Sequence, residues 1–246
     1  ITSSNIVSSS LSGTYGGYSW SLNNSSGTLW DLIVTGNGSS GGGDSSVPII
    51  TNIATGGTFN LASIGVTANP VFDGGVLSLA SGNSSAQAFT VNSAGGTIQS
   101  PTSGSATLSG VMSGVGGLTF TGTGTTVMSG ANSYTGGTTV SSGTLSVAGT
   151  SPTGYGDVTV NSGATLMGTG TINGNILVAG ILKPGNSPGY LASTGNVTMT
   201  TGSTYQQDIA GATQASSSTP VGASGYYSFV NVGSQLVINS GATLTP

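Results

Sequence analysis

Six residues of this chain carry charge: Asp31, Asp44, Asp73, Asp157, Asp208 and Lys183. Glu, Arg, His and Cys are absent. A Ser-His-Asp triad needs an imidazole base, so that chemistry is excluded. Thiol catalysis, disulfides and the usual structural zinc sites fall with cysteine. A Ser-Lys dyad would have to use Lys183, which lies in Leu-Lys-Pro-Gly and reads as a turn that leaves the amine solvated. A glycosidase-type carboxylate pair would need aspartates brought together from afar, because the nearest two, Asp31 and Asp44, are 13 residues apart. Gly41-Gly-Gly-Asp44 partly matches the G-G-x-G-x-D repeat that holds calcium between stacked turns. That site needs tandem copies and none follows, so the stretch reads as a solvated linker. Asp73-Gly-Gly reads as a turn, and Asp157, after Gly154-Tyr-Gly156, as the entry to a strand. No catalytic, cofactor-binding or metal site is expected, and the chain is not expected to be an enzyme.

The other residues able to recognise a partner are aromatic. Tyr15, Tyr18, Trp20 and Trp30 cluster in YGGYSWSLNNSSGTLWDLIV, where a hairpin is expected. Tyr226, Tyr227 and Phe229 form a second group near the other end. Two readings stay open. Such groups cap a core or dock a second subunit, or they stack on sugar rings. Capping or docking is the preferred one.

The charge balance limits the partners. One lysine and no arginine cannot neutralise a run of phosphates, so neither nucleic acid nor an anionic membrane surface is expected. No apolar run approaches the ~18 residues of a spanning helix, so membrane insertion is not expected either. Ile1 opens a Ser/Thr-rich stretch without a basic start or an apolar core, so a signal peptide is expected upstream or already removed. With no histidine or cysteine, the net charge of −4 should hold between about pH 5 and 9.

Disorder goes with low hydrophobicity and high net charge. Here 35% of residues are hydrophobic, and Val, Ile and Leu recur in short alternating runs, as in a folded all-β chain. Val140-Ser-Ser-Gly-Thr-Leu145 is followed by Val160-Asn-Ser-Gly-Ala-Thr-Leu166, and Ile238-Asn-Ser-Gly-Ala-Thr-Leu244 repeats the same words. Looser versions stand at Val91–Ile98 and Val197–Thr204. Val140 to Val160 is 20 residues and Val178 to Val197 is 19. A recurrence near 20 built of short strands is that of one coil of a β-solenoid, in which stacked coils bury a core no single coil can bury. Each coil is expected to supply two or three strands of about five residues, with alternate Val, Leu, Ile and Thr inward and Ser, Thr and Asn outward.

The expected organisation is an aromatic-rich strand segment at 1–35 and a Gly/Ser linker at 36–46. Solenoid repeats at 47–209, a loop at 210–225 and terminal solenoid strands at 226–246 complete it.

The stretch LTFTGTGTTVMSGANSYTGGTTVSSGTLSVAG, from Leu118 to Gly149, resembles the passenger-associated transport repeat of bacterial autotransporters. The carrying words are N-x-Y-T-G-G-T-T-V and x-x-G-T-L. ILKPGNSPGYLASTGNVTMTTGSTYQQDI is similar to passenger sequences in which a P-G-N-S-x-G-x-L turn joins two coils. The early Y-x-W-S-L and S-S-G-x-L-W resemble strands that close a passenger near its C-terminal end. The resemblance implies a right-handed parallel β-helix secreted to the bacterial outer surface, and it does not imply an enzyme. Two features depart from the pattern: the residues up to Pro246 include no segment expected to form a translocator barrel, and the closing-type segment comes first. That order is expected of an excised piece of a longer protein, or of subunits that meet head to tail. The expected role is an extracellular stalk, fibre or self-associating surface, with an adhesin that binds glycans through its aromatic patch as the alternative.

Overall fold

The computed structural model describes residues 52–61, 69–185, 187–215 and 224–246, together with the backbone of three strands before them. Those three are β1 (Ser10–Tyr15), β2 (Tyr18–Asn23) and β3 (Asp31–Gly36), paired antiparallel in the order β1-β2-β3. Tyr15 and Tyr18 are backbone register partners at the end of the first pair, and Trp20 lies within β2. Their side chains, Trp30 and residues 37–51 lie outside the described residues.

From Asn52 onward the chain winds through parallel sheets. The first face has nine strands: β5 (Thr58–Asn60), β7 (Val76–Ser78), β10 (Gly96–Gln99), β13 (Leu118–Thr121), β15 (Thr138–Val140), β17 (Val158–Val160), β20 (Ile176–Val178), β23 (Val197–Met199) and β28 (Leu236–Ile238). The second face has eight: β8 (Ser84–Ser85), β11 (Ser105–Leu108), β14 (Thr125–Met128), β16 (Thr144–Val147), β18 (Thr165–Gly168), β21 (Ile181–Pro184), β24 (Thr204–Gln206) and β29 (Thr243–Thr245). The third face comes in two pieces. One is β4 (Asn52–Ala54), β6 (Val71–Asp73), β9 (Phe89–Val91) and β12 (Met112–Gly114); the other is β19 (Thr171–Ile172), β22 (Tyr190–Ser193) and β27 (Phe229–Val232). A small pair, β25 (Thr213–Gln214) and β26 (Tyr226–Tyr227), stands outside these faces. The chain is a parallel β-solenoid, as its repeats predict.

Register turns sequence repeats into columns. Phe59, Leu77, Ile98, Phe120, Val140, Val160, Val178, Met199 and Ile238 stack in one inward column on the first face. Leu145, Leu166, Leu182, Tyr205 and Leu244 stack likewise on the second. Most of these side chains are fully buried in one core, and each such burial is worth about 1.5–3 kcal/mol. At one edge of the stack Leu236, Ile238 and Leu244 continue inward columns yet are 46%, 64% and 68% exposed.

The recurring words land where the repeat predicts. Val140, Val160 and Ile238 share a column, as do Leu145, Leu166 and Leu244. Glycine between them turns the corner from first to second face in a left-handed conformation, with φ of 69° at Gly143 and 81° at Gly163. Three details differ from expectation. Solenoid strands run two to four residues, not about five, because the glycine corners take up the rest of each coil. Val178 pairs with Met199, while Val197 pairs with Ile176, so Val178 and Val197 occupy different columns of one face. Val91–Ile98 runs from third to first face, whereas the other copies run from first to second.

Candidate functional site

Inside the solenoid residues 129–137, between β14 and β15, form no strand, and polar side chains join the backbone bonds that stack them. Asn132 is buried. Its Oδ1 accepts from the backbone N–H of Met112 at 2.7 Å, and its Nδ2 donates to the carbonyl of Pro152 at 2.7 Å. Tyr134 is also fully buried, its hydroxyl 2.6 Å from Thr138 Oγ1, which in turn donates to the Thr153 carbonyl at 3.2 Å. Burial raises the Tyr134 pKa well above the ordinary tyrosine value, against a smaller lowering by the Thr138 bond. Gly136 lets the corner close: a Cβ there would stand 2.3 Å from the backbone carbon of Gly116. Asn132, Tyr134, Thr138 and Thr153 hold the wall together and face no solvent.

Lys183 is not in a turn. It is the third residue of β21, opposite Met167, and its Nζ lies 3.7 Å from Asp208 Oδ1. The strand extends into Leu-Lys-Pro because Gly185, with φ of 83°, makes the turn one residue later. The pair is partly exposed and of the kind worth up to ~1 kcal/mol. No serine hydrogen bond to this amine accompanies it among the described residues, so no nucleophile-base pair is assembled there.

Asp157 immediately precedes β17, and its Oδ1 accepts from the N–H and the Nδ2 of Asn175 at 2.8 and 3.0 Å. Asn175 Oδ1 accepts from Asn196 N–H, and Asn196 Oδ1 from Gln235 N–H. Asp157 thus starts an amide ladder up one corner, a structural use of its carboxylate. Among the described residues no three His, Cys, Asp or Glu side chains gather as metal ligands, and no helix is long and apolar enough to cross a membrane.

The second aromatic group is partly covered. Tyr226 and Tyr227 are half-buried in β26, opposite Thr213 and Gln214 of β25. Phe229 begins β27 and meets the Tyr190 ring edge-on at 4.9 Å. The Tyr190 hydroxyl accepts from Asn231 Nδ2 at 2.8 Å, and the Tyr205 hydroxyl accepts from Val230 N–H at 3.1 Å. Phe229 therefore packs on its own solenoid face. It does not share its strand with Tyr226 and Tyr227, which belong to the small pair.

A surface feature not singled out from the sequence lies on the first face. A groove of about 400 Å³ runs beside the threonines of β10, β13 and β15, over a floor of Gly74, Gly95, Gly117 and Gly137. Its signal was the recurrence of Thr97, Thr119, Thr139 and Thr159 at intervals of 20 to 22 residues.

Residues 118–147 match the family model described as passenger-associated-transport-repeat. They comprise β13 to β16 with Asn132, Tyr134 and the corner glycines between them, so the family's polar words are the buried bridges of the wall. No curated protein matches the chain. It is as a parallel β-solenoid carrying a passenger-associated transport repeat that this chain is similar to the passengers of bacterial autotransporters.

Proposed function

We propose that the chain is a non-enzymatic structural segment of a protein displayed outside the bacterial cell, a solenoid stalk whose surface also lets copies associate. The carrying observation is the inward column from Phe59 to Ile238, unbroken across all nine strands of the first face. A continuous core along one axis resists bending and pulling, and its stability is a sum over nearest-neighbour coils. Composition supports exposure to a hostile exterior. The sole trypsin-type residue, Lys183, is followed by Pro184, which blocks cleavage after it. Five aspartates and one lysine leave a hydrated Ser/Thr/Asn surface with little charge, so like surfaces approach with little repulsion. Self-association, lateral or head to tail, is part of the proposal.

Single-molecule pulling tests the stalk. One coil of about 20 residues should release roughly 70 Å of chain, so the trace should show repeated steps of that size. A single cooperative rupture would count against stacked, separately yielding coils. Negative-stain microscopy at neutral pH and near pH 4 tests association: filaments or bundles support it, and isolated short rods under both conditions remove it.

A further inference from the structure

We infer that the groove on the first face binds an extended, uncharged polysaccharide laid along the solenoid axis. Thr97, Thr119 and Thr139 stand in register on adjacent parallel strands, and Thr159 continues the row on β17. Adjacent strands lie about 4.8 Å apart, so the row offers one hydroxyl per coil at that interval. Extended β-1,4-linked pyranose chains advance by a similar distance per sugar, so successive sugars meet successive threonines. These four hydroxyls make no hydrogen bond to any described residue, and each can both donate and accept.

The floor argues against a peptide strand. Gly74 N–H donates to Gly95 O, Gly96 N–H to Gly117 O, and Leu118 N–H to Gly137 O. These groups are consumed by the stacking, so an added strand would find no backbone ladder there. Among the described residues that line the groove none is charged, and Asp157 takes the place after Gly137 at its end, so an anionic glycan would find no cation and would meet a carboxylate, while a neutral one meets no charge repulsion. The row ends at Leu177, which takes the next place after Thr159 and is 44% exposed. Tyr155, 59% exposed, precedes Gly156 at the corner where Gly116 and Gly136 stack. Thr97 to Thr159 spans three strand intervals, about 14 Å, enough for three or four sugars.

This inference does not depend on the stalk reading, since a stalk can lack the site and the site can exist without load-bearing. The test uses the full chain and cellohexaose as probe, followed by amide chemical-shift perturbation, with polygalacturonate oligomers as the charged counterpart. Saturable shifts centred on Thr97, Thr119 and Thr139 with the neutral sugar, weakened about tenfold in Thr119→Val and retained in Thr119→Ser, are the expected result. Thr119→Val keeps the strand-favouring shape at an outward position, and an unchanged melting temperature confirms that it folds. Absence of binding at millimolar sugar, binding indifferent to Thr119→Val, or preference for the charged oligomer would overturn the inference. So would concentration-dependent shifts at these residues without sugar, which would mark the groove as a contact between copies.

Discussion

Asn132 holds Met112 from the next coil as a peptide group would, its Oδ1 accepting the Met112 N–H at 2.7 Å deep inside the solenoid. Its Nδ2 reaches the other way to Pro152 at 2.7 Å, so one side chain couples three consecutive coils. Here the third face has no strand, and the side chain adds to the backbone bonds from Ser133 N–H to Met112 O at 2.8 Å and from Asn132 N–H to Ser151 O at 3.0 Å.

Replacing Asn132 with Leu would leave a buried N–H and a buried C=O without partners. Each costs about 1–3 kcal/mol, so Asn132→Leu should destabilise by about 2–6 kcal/mol in urea unfolding. Asn132→Asp should be worse, since a carboxylate accepts from Met112 but cannot donate to Pro152 and brings a buried charge. A loss below about 0.5 kcal/mol for Asn132→Leu would show that the coils do not lean on this bridge.

Tyr134 makes stability depend on pH at the alkaline end. Its folded pKa is raised above the ordinary value of 10.0, chiefly by burial, and that of Tyr205 is raised for the same main reason. The folded state therefore keeps its phenol protons where the unfolded chain loses them. Stability is fully present below about pH 10 and falls as pH rises beyond it. Melting temperatures measured from pH 7 to 11.5 should decline above pH 10, and more gently in Tyr134→Phe. A wild-type curve that stays flat through pH 11.5 would contradict the burial of this hydroxyl.

The fold was legible because a parallel solenoid writes its register into the sequence. Residues that recur at one coil's length stack, as Val140 and Val160 do. The misplacements have one physical source: coils differ in length, so equal words need not share a column. Val178 and Val197 differ by 19 residues, yet Val178 meets Met199, because the corner between β21 and β22 is longer than the one between β18 and β19. Lys183 was misread because Pro184-Gly185 signals a turn without saying which residue begins it. The groove was illegible for another reason. Threonine is both a strand former and a surface residue, and only register shows that Thr97, Thr119 and Thr139 form one row. Asn132 and Tyr134 stood in a recognised word, but a polar residue between turns gives no sign that it points inward.

Thr126 and Thr138 are both buried threonines, and the same substitution should move stability in opposite directions. Thr126 sits in an inward column of the second face between Ala106 and Leu145, 1% exposed, with no partner for its Oγ1. Valine has the same shape, keeps the strand preference and removes a hydroxyl that folding strips of water. Thr126→Val should therefore stabilise by about 1 kcal/mol. Thr138 is equally buried, but its Oγ1 lies between the Tyr134 hydroxyl and the Thr153 carbonyl. Thr138→Val leaves both unsatisfied and should cost about 2 kcal/mol or more. Urea midpoints of the two variants against the parent decide the matter, since propensity and volume changes are common to both. Equal destabilisation would mean that the Thr126 hydroxyl finds a partner in solution, and the difference between the two columns would vanish.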